Sequence, residues 1–402
     1  MASSNLDHHR DSEVLVQENN SSVRTLTLNR PRHLNALSLE MISRLSELFL
    51  ACEYDANVKL VILKGNGKAF SAGGDIAAIA YHLYNGDWRL AVKISEEAYK
   101  LLYFIATYNK PQLSILNGIA MGRGAAIYAL SRFRLATENS MFSMPETALG
   151  GFPDMGGSYF LSRLPGFLGE YLALTSAKLD GPEMFACGLA THFVPATKLA
   201  LLEEALASTV AASTIDSSSS RDLVFYVSAI INEYSIQPVL KERGSARHKM
   251  DLIDKCFSKG TVEEILSALE KEAADLDGHI NGDDPWLSST IQSIKKASPI
   301  SLKISLRSIR EGRSQRLGEC LVREYRTAYH VARGKVSKDF IEGCTALLWD
   351  KDKIQKWEPS KLELITDQMV DHYFSNKLGD DEDEPEELQL PARSDLPTIS
   401  KL

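Results

Sequence analysis

The sequence predicts an α/β fold, and three observations carry that prediction. Short apolar runs, Lys59–Lys64, Gln112–Leu116 and Phe133–Ala136, read as buried strands. Small-residue turns follow strands: Gly65-Asn-Gly67, Phe70-Ser-Ala-Gly-Gly-Asp-Ile76 and Asn117-Gly-Ile-Ala-Met-Gly-Arg-Gly-Ala-Ala126. Helical periodicity then resumes, so strand, turn and helix alternate along the first half. After Ala200 the pattern is helical.

Each element has a local reason. Glu13–Gln17 and Val23–Leu28 alternate and join through Glu18–Ser22, which predicts a hairpin. Asn29–Leu37 is a loop. Ser38 is placed to cap a helix whose apolar positions Ile42, Leu45 and Phe49 recur at helical spacing. Trp88–Thr107 is predicted helical, and Gly122–Ser131 opens another helix. Gly157–Arg163 and Gly166–Thr175 read as helices, and Pro182–Cys187 with a strand at His192–Val194 closes the core. Ser213–Ser220 is serine-rich and predicts a flexible connection. Val262–Glu272 and Ser298–Glu311 are amphipathic helices, and Pro359–Lys377 is the last ordered element.

Bulk properties narrow the class. A chain of 402 residues forms one large domain or two modest ones. A net charge of −8 argues against general nucleic-acid binding. No apolar run reaches the length of a membrane span. The five cysteines are scattered without a CxxC pair, which predicts a reducing compartment, no disulfide framework and no zinc site. His8 and His9 read as tail residues, and His192 as a packed strand histidine. The N-terminus has no apolar signal core. The chain ends in Ser400-Lys401-Leu402, the tripeptide read by the peroxisomal import receptor.

The chemistry concentrates in Met144–Gly157. Glu146 and Asp154 stand eight residues apart in a stretch dense with Gly and Pro. Two carboxylates held together can divide acid and base duties. The two upstream turns present backbone amides, so the set suits work on a thioester carbonyl. Plainer readings stand beside these. Asp154 precedes a helix and reads equally as its N-cap. Glu146 reads as a surface turn acid, Asp75 as a brace of its own turn, Arg30 and Arg32 as surface charge, and Asp380–Glu387 as a solvated tail.

Six stretches together resemble one family: Asn29–Ser38 (NRPRHLNALS), Ala69–Ile76 (AFSAGGDI), Asn117–Gly124 (NGIAMGRG), Met144–Gly166 (MPETALGGFPDMGGSYFLSRLPG), Ser298–Arg313 and Lys338–Lys353. Over residues 12–375 the chain resembles the 3-hydroxyisobutyryl-CoA hydrolase branch of the crotonase superfamily, and its SKL ending resembles plant peroxisomal members. The resemblance implies a crotonase-type spiral of repeated ββα units with C-terminal covering helices. It divides the chain into a flexible N-terminus (1–11), a core with the thioester site (12–205), a helical region (206–378) and an acidic tail (379–402). It implies that the N–H groups of Gly74 and Arg123 hold the thioester oxygen. Glu146 attacks the carbonyl or activates water, and Asp154 orients the acyl hydroxyl or the water. CoA is expected along Arg32, His33 and Leu34 and along Ala72, Gly73, Asp75 and Ile76, with Ala98 at a substrate-contact position. No cofactor or metal is implied, because CoA arrives with the substrate. The implied partners are the acyl-CoA and the import receptor, without nucleic acid or membrane insertion, and an oligomer is left open.

The chain departs from that pattern at four places. Arg123 stands where the branch carries Gly, Ala98 where it carries Glu, Leu130-Ser131 where it carries His-Gly, and Gly151 where it carries Leu. Ala126 replaces the Glu of a hydratase, so enoyl-CoA hydration is not expected. The expected function is hydrolysis of 3-hydroxyisobutyryl-CoA or a related acyl-CoA in peroxisomal valine breakdown. A non-catalytic acyl-CoA-binding protein and an enoyl-CoA isomerase are the alternatives.

Overall fold

The hairpin forms as its alternation predicts: β1 (Val14–Asn19) and β2 (Val23–Leu28) pair antiparallel. The computed structural model describes residues 12–216, 218–240, 249–277, 284–350, 354–376, 378 and 386–393. His8, His9 and Ser400–Leu402 lie outside them. Helix α1 (Leu39–Tyr54) starts at Ser38, whose Oγ accepts from Met41 N at 3.0 Å. It buries Ile42, Leu45 and Phe49, the stripe its spacing predicted.

A unit then repeats three times. β3 (Leu60–Gly65) is followed by β4 (Ala69–Ser71), β5 (Gln112–Leu116) by β6 (Ile119–Met121), and β7 (Phe133–Ala136) by β8 (Met141–Ser143). The first strand of each unit joins one sheet and the second joins another. The larger sheet has order β1-β2-β3-β5-β7-β10, and the smaller has order β4-β6-β8-β9. β2, β3, β5, β7 and β10 (His192–Phe193) run parallel, as do β4, β6 and β8. β9 (Leu179–Asp180) pairs antiparallel with β8. The smaller sheet was not legible in the sequence, because strands of three residues or fewer show no period.

Helices fill the intervals: α2 (Ile76–Tyr84), α3 (Trp88–Ala106), α4 (Gly122–Ala129), α5 (Gly157–Leu161), α6 (Leu168–Thr175) and α7 (Gly181–Ala186). After β10 every longer element is helical: α8 (Leu199–Ala212), α9 (Ser220–Tyr234), α10 (Met250–Phe257), α11 (Val262–Asp277), α12 (Pro285–Lys296), α13 (Pro299–Gly312), α14 (Leu317–Arg333), α15 (Asp339–Leu348) and α16 (Asp367–Tyr373). None of the described helices is long and apolar enough to cross a membrane.

Burial on both faces explains why the central strands are mostly apolar, with Gln112, Ser114 and Arg134 as buried polar exceptions. Leu60, Ile62, Leu113, Ile115 and Leu135 point to α8 and α9, meeting Leu202, Leu206, Val227 and Ile231. Val61, Leu63 and Leu116, on the alternate face, join the main core with α1 and α3. α14 lies along α3 through edge-on pairs, Tyr99–Tyr325 at 5.9 Å and Trp88–Tyr329 at 5.6 Å. α15 packs on α2. Part of the acidic tail (379–402) is docked: Leu388 is buried against the core, Arg393 pairs with Glu53, and Arg326 pairs with Glu387, the last residue of the run read as solvated. Burying a leucine stabilises by about 1.5–3 kcal/mol, which offsets the ordering of one or two residues.

Candidate active site

The site is built where two turns meet. Gly73 has φ +111°, and a Cβ there would stand 3.1 Å from Met121 O and 3.7 Å from Arg123 N. Only glycine permits that approach. The turn is clamped to the preceding loop by Leu37 N donating to Gly73 O (2.8 Å), Asp75 N to Leu37 O (3.1 Å) and Ala72 N to Leu34 O (2.9 Å). Arg123 is the second residue of α4, so its N–H has no intrahelical acceptor. The left-handed φ (+50°) falls on Gly122, not on Arg123, so the Cβ of Arg123 costs no backbone strain.

Glu146 opens a 3-10 turn directly after β8, and Gly150 ends that turn at φ +76°. Its carboxylate lies over Gly122, where a Cβ would come within 2.9 Å of Oε1. Oε2 is buried and has no hydrogen-bond partner among the described residues. Burial, reinforced by the Asp154 charge, pushes the Glu146 carboxyl up to about 8. It is therefore held mainly protonated at neutral pH.

Asp154 does not cap α5, as the plainer reading had it. The N-cap is Gly156, without a side-chain bond. Asp154 Oδ2 instead accepts from Arg123 Nη2 at 2.9 Å and from Tyr99 Oη at 3.4 Å. Arg123 Nη2 also donates to Ser95 Oγ at 3.0 Å. Burial works against the Arg123 charge, but Asp154 and its neighbours outweigh it and hold the guanidinium above its ordinary value. Burial and the nearby Asp154 likewise push the Tyr99 hydroxyl well up.

The helix that Asp154 fails to cap is capped from across the fold. Glu324 of α14 accepts from Gly156 N (2.5 Å), Ser158 N (2.9 Å) and the Ser158 hydroxyl. Arg323 Nη2 donates to the same Ser158 Oγ at 2.9 Å. This anchors a segment in which Met155 (φ 55°) and Gly156 (φ 79°) are both left-handed. A non-glycine residue there is unfavourable and persists only when its surroundings impose it.

Ala72, Gly73, Gly74, Ile76, Arg123, Glu146 and Asp154 all line one cavity of about 150 Å³. Its remaining walls are mostly apolar, with Ile79, Val92, Phe152 and Phe340 prominent. Other predicted residues sit elsewhere. Asp75 caps α2 through Ala78 N (3.2 Å) and pairs with Arg30 (3.0 Å), which is the bracing role. Arg32, His33 and Leu34 are exposed on the neighbouring loop and are not among the cavity's walls. Ala98 is buried in the core and does not reach the cavity, which α3 lines with Ala91, Val92 and Ser95. Ser95, Tyr325 and Phe340 were missed by sequence reasoning. Ser95 lies one helical turn before Ala98, which was the available signal. A Cβ on Gly151 would stand 3.4 Å from the Phe340 ring, so Phe340 occupies the space beside the departure from Leu. Tyr325 Oη is buried and has no hydrogen-bond partner among the described residues. Among the described residues no cluster of metal-ligating side chains occurs.

Paired parallel sheets wound from ββα units, with two glycine turns aimed at a carboxylate pair, define an acyl-CoA protein of the crotonase fold. A model of the enoyl-CoA hydratase/isomerase family matches residues 23–374, and the chain belongs to that family. It is 56% identical over 388 residues to 3-hydroxyisobutyryl-CoA hydrolase 1 of Arabidopsis thaliana, covering 96% of this chain and 97% of that protein. It is 40% identical over 372 residues to the mitochondrial 3-hydroxyisobutyryl-CoA hydrolase of Rattus norvegicus, covering 92% and 90%. The crystal structure of a carnitinyl-CoA dehydratase from Mycobacterium thermoresistibile superposes with a TM-score of 0.81 at 31% identity, covering 95% of this chain and 100% of that one.

Proposed function

We propose that this protein hydrolyses the thioester of a short 3-hydroxyacyl-CoA, with 3-hydroxyisobutyryl-CoA as the substrate, in valine or related branched-chain breakdown. One observation carries the reading: Glu146 and Asp154 converge on a single cavity with the Gly74 turn and the N-terminus of α4. The relatives that bear the hydrolase name support the choice of substrate.

In this reading the thioester oxygen lies between the N–H groups of Gly74 and Arg123. The oxygen gains negative charge as the carbonyl becomes tetrahedral, and fixed donors at a helix start stabilise it. Glu146 supplies the carboxylate that attacks the carbonyl or takes a proton from water. Asp154 holds the acyl hydroxyl or the water. The products are the hydroxy acid and CoA with a free thiol. Ala126 is fully buried in α4 and carries no carboxylate, so the site lacks a second glutamate for hydration. The experiment is free-thiol release from 3-hydroxyisobutyryl-CoA by the purified full-length protein. Release is expected; double-bond migration in an enoyl-CoA without thiol release would replace hydrolysis with isomerisation.

We also propose that the protein acts in the peroxisome, on the strength of its Ser400-Lys401-Leu402 ending. A fluorescent fusion with a free C-terminus should enter peroxisomes, and deleting these three residues should leave it in the cytosol. Unchanged location after the deletion would remove the assignment.

A further inference from the structure

The Arg123 side chain enters the cavity that the substrate must use. Its Cδ would lie 3.2 Å from a Cβ on Gly74, so the chain crosses the Gly74 turn before its guanidinium reaches Asp154. Nη2 is committed to Asp154 and Ser95. Nε and Nη1 make none of the described hydrogen bonds and would stand 3.8 Å from that same Cβ. On Asp154, Oδ2 takes both Arg123 and Tyr99, while Oδ1 accepts nothing among the described residues. This end of an otherwise mainly apolar cavity thus presents an open donor and an open acceptor on one ion pair.

We infer that Arg123 is a specificity-determining residue: with Asp154 it selects acyl chains bearing a hydroxyl, which accepts from the guanidinium and donates to the carboxylate. The inference rests on the hydrolase reading and deepens it. A hydroxyl is the small group that both donates and accepts, so it matches the pair on both counts. An unsubstituted alkyl chain leaves a desolvated donor and acceptor without partners, the situation that gives enzymes their strongest rejection of deoxy analogues. An acyl carboxylate could take the guanidinium but would face Asp154 at close range and be repelled. A lone aspartate would read the hydroxyl as a donor only. Arg123 adds the second contact.

The test uses a matched pair, 3-hydroxyisobutyryl-CoA and isobutyryl-CoA, and two variants of the full chain. Arg123→Met keeps the apolar stem and removes the donors; Arg123→Lys restores one charged donor. In the wild type kcat/KM should favour the hydroxylated substrate. In Arg123→Met that preference should fall by about 10- to 100-fold, the worth of a hydrogen bond to a charged group, because the hydroxylated substrate loses more than isobutyryl-CoA does. Arg123→Lys should recover part of it. Equal loss on both substrates would overturn the inference, as would preference for an acyl group ending in a carboxylate. Thioether analogues of the same pair, which cannot be hydrolysed, keep the test separate from the hydrolase reading. A dissociation-constant preference for the hydroxylated analogue, lost in Arg123→Met, would support the selector even if no thiol is released. No preference in the folded wild type, judged by its melting curve, would overturn it.

Discussion

Replacing Glu146 with Gln should abolish thiol release while leaving the protein folded. Both routes through Glu146 need its carboxylate, and the amide can neither attack nor take a proton. Loss of a general base costs about 10²–10⁴-fold in rate, and loss of a nucleophile more. The fold should tolerate the change. Glu146 is held mainly protonated at neutral pH, and the amide matches the neutral carboxyl in size and charge. The same cause sets the pH dependence. With the carboxyl pushed up to about 8, the wild-type kcat/KM should rise about tenfold per pH unit and level off near pH 8. Stability should run the other way. The folded value lies above the ordinary glutamate value of 4.5, so between these pH values the native state keeps a proton that the unfolded chain has released. The contribution of Glu146 is complete below 4.5 and is lost as pH rises through about 8. Glu146→Gln should therefore gain in melting temperature relative to wild type toward alkaline pH. Thiol-release assays and thermal melts from pH 6 to 9 check both signs. Residual turnover within tenfold of wild type would remove Glu146 from the chemistry.

What the sequence revealed of this site depended on separation along the chain. Glu146 and Asp154 stand on one short segment, so their convergence could be read from it. Arg123 was visible as a departure, but its partner was not, because 31 residues separate it from Asp154. The reading of Asp154 as a helix cap failed for a related reason. The group that meets the Gly156 and Ser158 amides is Glu324, 168 residues from Gly156. No local pattern announces a cap donated from another helix. Ala98 was placed at the substrate by the family resemblance, whereas the cavity takes Ser95, one turn earlier on the same face. The larger sheet was legible because its inner strands are buried on both faces. The docking of Leu388 was not, since one apolar residue after an acidic run carries no period. Local rules therefore recovered the larger sheet and the carboxylates, and long-range packing decided how the carboxylates are held.

Glu324 makes that last point testable, because its removal should cost both stability and site geometry. It is fully buried and meets two backbone amides, a hydroxyl and the neighbouring Arg323 charge. Glu324→Ala leaves these donors unpaired in the interior, a change that costs about 3–5 kcal/mol for a broken buried pair. Glu324→Gln keeps one acceptor oxygen but turns an amide N–H₂ toward a backbone N–H. It should cost less, about 1–3 kcal/mol. Burial pushes the Glu324 carboxyl up to about 7, against the opposing pull of Arg323 and its hydrogen bonds. The wild type therefore loses stability as pH rises from the ordinary glutamate value of 4.5 through about 7, and the glutamine variant does not. The gap between them in denaturant midpoint should narrow over that range; a constant gap would mean that the proton on Glu324 is not what the fold retains. The catalytic consequence follows from the strained Met155–Gly156 turn next to Asp154. With its anchor weakened, Asp154 loses its fixed position against Arg123, and a displacement of about 1 Å is enough to cost roughly 10²-fold. Folded Glu324→Gln protein should thus lose kcat more than KM and lose preference for the hydroxylated acyl chain. Unchanged kinetics in a destabilised protein would confine Glu324 to the fold and leave Asp154 held by Arg123 and Tyr99 alone.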